Sequence, residues 1–261
     1  MYYVRVLEFP IRRIVQVTDC HLFADLEESL RGIVTWPRLA MVLDDVRRQI
    51  PDADLLVFTG DTAHDEARGT YESFRSVLVE WSDRMRIIPG NHDNRLVLGD
   101  LFPQRRAGPI GRVTFEVSWN DWQVIGLDSQ QPGEQPGSLG AEQLAWLRTK
   151  LEISPLHTLL FLHHPPVAVQ SPWLDQINLQ DALEFERLLQ DHPQVRLVVC
   201  GHVHQEYVGL LGDATVFATP AVGPQFRPRT EQLVIEPAPP AYRVLELRSH
   251  GRWSTQVVHC Y

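Results

Sequence analysis

Five short apolar runs in this chain each end directly in residues able to bind a metal ion. Ile14 to Thr18 runs into Asp19-Cys20-His21, Leu55 to Thr59 into Gly60-Asp61, and Arg86 to Pro89 into Gly90-Asn91-His92-Asp93. Leu159 to Leu162 runs into His163-His164, and Leu197 to Cys200 into Gly201-His202-Val203-His204. Short apolar runs bounded by Gly or Pro read as buried strands of a largely parallel sheet. Ligand crevices of open α/β sheets lie beyond the carboxyl ends of such strands. The chain is therefore expected to deliver Asp, His and Asn side chains to one shared pocket, as a metal enzyme would.

The elements between these runs agree with that frame. Leu39, Val42, Leu43, Val46 and Ile50 recur at helical spacing, with Pro37 near the first turn. A second amphipathic stretch covers roughly Thr70 to Trp81, and Asn120-Asp121 joins two strand-like runs within 111–128 as a hairpin. Leu144, Leu147 and Leu151 mark a helix starting near Gly140, with Gln143 as a back-capping residue. A further helix spans Asp181 to Gln190. Alternation of strand and helix in the first half leads to βαβ units. From Gln205 onward consecutive strands dominate, broken by the Pro-rich 236–240 segment, which predicts a second sheet packed on the first. With 261 residues, one α/β domain spanning residues 1–261 is expected.

Composition removes several classes of function. A net charge of -9 argues against binding the phosphates of nucleic acid, which needs many Lys and Arg. A small anion attracted by bound cations stays compatible with an acidic chain. The N-terminal MYYVRVLEFPIRRIV lacks a signal-peptide core, and no segment approaches the ~20 apolar residues of a membrane span. Cys20, Cys200 and Cys260 are an odd, widely spaced set, so no disulfide framework follows and a cytoplasmic setting is expected. A homodimer contact through an exposed C-terminal strand or helix is compatible with the sequence.

The ligand residues fall into two sets. Asp19, His21, Asp61 and His204 suit one metal; Asp61, Asn91, His163 and His202 suit the other, with Asp61 bridging through its two carboxylate oxygens. His163 is preferred to His164 because it directly continues its strand; His164 then meets substrate, supports a ligand, or packs. Mixed nitrogen and oxygen ligation suits Mn, Fe, Zn or Co better than Mg or Ca. A lone D-x-H or Gly-Asp pair is common in turns, and only the joint series points to a two-metal site.

That series resembles the calcineurin-like metallophosphoesterase superfamily, whose motifs D-x-H, G-D, G-N-H-D or G-N-H-E, a His after a strand, and G-H-x-H occur here complete and in order. Over residues 13–257 the chain is similar to bacterial class III cyclic nucleotide phosphodiesterases of the cyclic-AMP-hydrolysing type. VTDCHLF, TGDTAHD, PGNHD, LDSQ, QLAWL, SPWLDQ, CGHVHQE and PQFRP carry that similarity. The resemblance implies a four-layer αββα sandwich of two mixed sheets flanked by helices. It also implies hydrolysis of 3′,5′-cyclic AMP to 5′-AMP by in-line attack of a metal-bridging hydroxide at two metal ions. His92 would stabilise developing charge or protonate the departing oxygen, and Asp65 would orient His92. His21, Asn91, His164 and His204 would face the cyclic nucleotide.

Alternatives stay open at this level. The same centre could serve 2′,3′-cyclic nucleotides or glycerophosphodiesters, or the fold could be a non-catalytic scaffold. Asp93 could fix its loop, orient a ligand His, or cap the next helix; Asp65 could merely begin the turn before its helix. Cys20 could bind a soft metal or simply pack. Trp173 and Phe226 could stack on a purine or belong to core and rim. Arg227 could meet a phosphate or stay solvated. His64, His157, His192, His250 and His259 carry no expected role and are placed on surfaces or strand edges.

Overall fold

The computed structural model describes residues 10–102 and 108–261, so the reading of the first nine residues lies outside it. Two mixed sheets face each other, each covered on its outer side by helices. The first sheet has five strands in the order Trp253–His259, Ala241–Leu247, Arg12–Val17, Leu55–Phe58, Met85–Ile87. Its last three strands are parallel and its first two pair antiparallel. The second sheet has six, in the order Tyr207–Leu211, Ala214–Ala218, Val195–Cys200, His157–Phe161, Trp122–Gly126, Phe115–Ser118, with the middle four parallel.

Side-chain alternation along each strand makes the layers. Ile14, Leu55, Val57, Leu159, Phe161, Leu197 and Val199 interdigitate between the sheets. Val15, Val17, Leu56 and Phe58 point outward against Leu39, Val42, Tyr71 and Phe74 of the helices Thr35–Gln49 and Arg68–Val77. Leu160, Leu162, Val198 and Cys200 pack outward under Leu147, Leu151, Phe185 and Leu188 of Gly140–Ile153 and Ala182–Gln190. The strand runs are continuously apolar because both faces are buried. Among the polar exceptions, Gln16 sits between the sheets, its Nε2 donating to Thr59 Oγ1 at 2.8 Å and to Cys200 O at 3.1 Å.

Several expectations are corrected. The second sheet already begins at Phe115, and the two C-terminal strands return to the first sheet beside Arg12–Val17. That return is set by Tyr242 and Val244 packing with the outer cluster while Leu245 and Leu247 enter the inter-sheet core. The helix expected over 70–81 is an α-helix to Val77 followed by a 3₁₀ turn, Val79–Trp81. A 3₁₀ repeat of three residues brings Leu78 and Trp81, both buried, onto one side. Gln143 does not cap its own helix start; it accepts from Asp128 N–H at 3.0 Å and donates to Asp128 O at 2.8 Å. The helix start is capped from afar by Asp181, which accepts from Gly140 N–H at 2.7 Å and Leu139 N–H at 3.0 Å. Among the described residues no helix is long and apolar enough to cross a membrane.

Candidate metal centre

The five parallel strands that carry the motifs, three in one sheet and two in the other, end at the same edge of the sandwich. There the chain bends sharply. Asp19, His21, Asp61, His202 and His204 all have left-handed backbone, with φ of 55°, 48°, 52°, 71° and 48°. Non-glycine residues enter such regions at roughly 1–3 kcal/mol each, and such residues cluster at functional sites. Cross-loop hydrogen bonds hold them there: Asp19 N–H donates to Gly60 O at 3.0 Å, His21 N–H to Asp61 O at 2.8 Å, and Gly223 N–H to Asp19 O at 2.9 Å.

Two motif glycines are explained by close approach. A Cβ on Gly90 would lie 2.1 Å from Asp61 Oδ1, and one on Gly201 would lie 2.0 Å from Thr18 Oγ1 and 2.7 Å from Asp19 Oδ2. Any side chain there would displace a carboxylate.

The side chains converge into two groups. Asp19 Oδ1 lies 3.3 Å from His204 Nε2, which lies 3.0 Å from His21 Nε2, which lies 3.6 Å from Asp61 Oδ2. Asp61 Oδ2 is also 3.4 Å from His163 Nε2. Asn91 Oδ1 lies 3.2 Å from His163 Nε2 and 3.0 Å from His202 Nδ1. All seven residues expected as ligands are thus brought together. One detail differs from the expectation: a single oxygen of Asp61, Oδ2, faces both groups, because Oδ1 accepts the His92 N–H at 2.8 Å.

The outer nitrogens of two of the imidazoles are anchored to backbone carbonyls. His163 Nδ1–H donates to Thr59 O at 2.7 Å and His204 Nδ1–H to Pro224 O at 2.5 Å. Each anchor turns the Nε2 lone pair inward, the arrangement of metal-binding histidines. Asp19 Oδ2 accepts from Thr18 Oγ1–H at 2.7 Å and His202 N–H at 3.0 Å, leaving Oδ1 to face the cluster. Hard oxygens and imidazole nitrogens crowded at 3.0–4.0 Å, with Asp19, Asp61 and His163 almost wholly buried, form a donor set that fits two divalent cations.

The electrostatics of the metal-free cluster are consistent with this. Burial pushes His21 well down and His202 down to about 3. Burial also opposes a proton on His163, but Asp61, followed by Asp19, raises it to about 9. Burial alone would raise Asp61, yet His163 and His21 hold it well below the carboxylate range.

Other expected site residues land differently. Asp65 does not orient His92: it is exposed, and its carboxylate accepts from Ala24 N–H at 2.7 Å, Ala67 N–H at 3.0 Å and Thr70 Oγ1–H at 2.8 Å, forming the turn before its helix. His64 takes the position beside His92. Their rings stack with centroids 4.7 Å apart, and His64 Nδ1 lies 3.1 Å from His21 Nδ1. The only sequence signal for His64 was its place three residues after Asp61. His164 does not face the cleft: it is fully buried, with Nδ1 2.8 Å from Ser129 Oγ and Nε2 3.0 Å from Gln135 O.

Asp93 fixes its loop, accepting from Thr62, Ala63 and Gly90 N–H and from Tyr71 O–H at 2.9–3.1 Å; the next helix is capped by Asn94. Burial, then repulsion from Asp61, raises Asp93 to about 7. Gln130 of the LDSQ stretch clamps the same loop through Gly90 O at 2.8 Å and Asp93 O. Cys20 packs in the outer core. Arg227 is exposed and pairs through Nε with Glu236 at 2.7 Å. His192 is buried, its Nδ1–H donating to Leu188 O at 2.7 Å, not on the surface.

Above the two groups lies a cleft of ≈ 240 Å³, into which His21, Asn91, His92, His204, Trp173 and Phe226 face. Phe226 stacks flat on His204 at 4.1 Å, and Trp173 meets Phe226 edge-on at 5.3 Å.

Comparison with known proteins agrees with this geometry. The calcineurin-like phosphoesterase family matches residues 12–206. The chain is 36% identical over 246 residues to the 3′,5′-cyclic adenosine monophosphate phosphodiesterase CpdA of Escherichia coli strain K12, covering 94% of this chain and 88% of that one. It is 32% identical to a 3′,5′-cyclic-nucleotide phosphodiesterase of Nostoc, covering 94% of this chain and 91% of that one. In fold it is similar to a dimetal phosphatase from Danio rerio, with a TM-score of 0.67, 17% identity, and coverage of 97% of this chain and 100% of that one.

Proposed function

The chain belongs to the calcineurin-like phosphoesterase family, and from that premise we propose that it hydrolyses 3′,5′-cyclic AMP to 5′-AMP at a centre of two divalent metal ions. One observation carries the reading: Asp61 Oδ2 is shared, 3.6 Å from His21 Nε2 and 3.4 Å from His163 Nε2. Asp19, His21, Asp61 and His204 would hold one ion, and Asp61, Asn91, His163 and His202 the other. When bound, two such ions supply Lewis acidity and lower the pKa of water to near neutrality.

The protein's own residues do the rest. In the overall reaction an oxygen from water bonds to phosphorus, the bond from phosphorus to O3′ breaks, and O3′ leaves carrying a proton. His92, half-exposed in the cleft and tied through its N–H to Asp61 Oδ1, is positioned to deliver that proton. His64 stacks behind it and limits its rotation. Trp173 and Phe226 supply an apolar wall for the base. His21, Asn91 and His204 line the floor on which the phosphate rests.

Residues 1–261 act in this reading as one catalytic domain, since strands of both sheets build the one site. Mn, Fe, Zn or Co suits the nitrogen and oxygen donor set. A reducing cytoplasm suits three free, buried cysteines.

The test is a product assay with purified protein, 3′,5′-cyclic AMP and its 2′,3′ isomer, with Mn and Zn varied. Metal-dependent release of 5′-AMP, faster than turnover of the isomer, is expected. Full activity of Asp61→Ala would sink the reading.

A further inference from the structure

The cleft over the two ligand groups is lined by one fixed cation. Among the described residues, Arg31 is the single Arg or Lys that lines it, in a chain of net charge -9. It stands at the tip of a two-stranded ribbon, Ser29–Leu30 against Ile33–Val34, that sequence periodicity did not reveal. The two turn residues, Arg31 and Gly32, are both left-handed, with φ of 52° and 81°. That is the sign pattern of a type I′ turn, which follows the strand twist and gives a hairpin tip a fixed direction.

Asn, Asp or Gly is the usual residue at the first of these positions, since an Arg there carries backbone strain. The ribbon is anchored to the D-x-H loop. It leads directly into the helix Thr35–Gln49, where Thr35 Oγ1–H donates to His21 O at 3.0 Å and Trp36 Nε1–H to Phe23 O at 2.8 Å. Arg31 is exposed, and among the described residues it makes no hydrogen bond or ion pair.

A cation held in a strained turn, aimed over a site for anions and unpaired, is placed to bind a ligand. We infer that Arg31 is a substrate-binding residue that binds an anionic phosphoryl oxygen of the substrate from the mouth of the cleft. The inference rests on the phosphodiesterase reading of this site, but not on cyclic AMP being the substrate. A guanidinium meets phosphoryl oxygens through short, charge-assisted hydrogen bonds, which an ammonium reproduces only in part.

The test compares Arg31→Ala and Arg31→Lys with the unaltered metal-loaded enzyme, on cyclic AMP and on bis(4-nitrophenyl) phosphate, which shares only the phosphodiester. Arg31→Ala is expected to raise KM for both substrates about tenfold or more, the loss of a hydrogen bond to a charged group, with kcat changed by no more than about twofold. Arg31→Lys should fall between. The Kd of 5′-AMP, measured by calorimetry, should weaken by a similar factor, with bound metal and melting temperature unchanged.

Unchanged KM on both substrates would overturn the inference. So would a rise confined to cyclic AMP, which would put Arg31 on the nucleoside, or a loss of metal in Arg31→Ala. If the unaltered enzyme ignores cyclic AMP, the reading above fails while the nitrophenyl substrate still reports on Arg31.

Discussion

His64 and His92 stack face to face, with ring centroids 4.7 Å apart and planes inclined by 27°. His92 is the one imidazole of the cleft with its backbone pinned to the shared carboxylate, and its ring meets that of His21 edge-on at 5.1 Å between centroids. His64 is thus the surface against which that ring is held, and it also touches the outer nitrogen of His21.

His92→Ala should lower kcat by about a hundredfold to ten-thousandfold, the range for a general acid, with two metals still bound. His64→Ala should lower kcat less, and His64→Phe, which keeps the stacking, should recover most of it. Steady-state kinetics with metal analysis checks this. Equal losses in His64→Ala and His64→Phe would show that stacking is not what His64 contributes.

Gly90→Ala should disable the centre although alanine is small. The new Cβ would sit 2.1 Å from Asp61 Oδ1, so either the loop or the carboxylate must move. Overpacking of this kind costs roughly 1–3 kcal/mol, and here the displaced atom belongs to Asp61, whose other oxygen faces both His21 and His163. Metal analysis should find fewer than two ions per chain. A fully loaded Gly90→Ala protein would contradict the close approach.

Removal of metal should make stability fall with rising pH. In the metal-free protein His163 is raised to about 9, above the ~6.5 of an unfolded chain. Its stabilising contribution is present below about pH 6.5 and is lost as pH rises through about 9. Asp93, raised from 3.8 to about 7, gives a loss of the same sign at lower pH. His21, His164 and His202 are shifted down, so they titrate below this window. Chelator-treated protein should therefore melt progressively lower between pH 7 and 9 at constant ionic strength, and metal affinity should rise over the same range as the proton on His163 is expelled. A melting temperature that climbs across that interval would rule this out.

Trp173→Ala should separate base from phosphate recognition. Trp173 meets Phe226 at 5.3 Å on the cleft wall, away from the ligand groups. Stacking on an aromatic contributes about 1–3 kcal/mol per base, so KM for cyclic AMP should rise roughly five- to a hundredfold. KM for bis(4-nitrophenyl) phosphate should stay within about twofold. Similar losses on both substrates would assign Trp173 to the shape of the cleft and not to the base.

The residues that converge on the centre, the strands that bear them and the layered architecture were legible in the amino-acid sequence. Apolar runs such as Leu55 to Thr59 declare a buried strand through neighbours one and two residues apart, and Gly60-Asp61 at its end needs no distant partner to be recognised. Packing decided the rest. Which oxygen of Asp61 is shared, that His64 and not Asp65 supports His92, that His164 turns away from the cleft, and that Arg31 overhangs it all depend on pairs far apart in the chain. Periodicity reports which face of an element is buried. It does not report the rotation and offset at which two elements meet, and those set distances of a few ångströms between side chains.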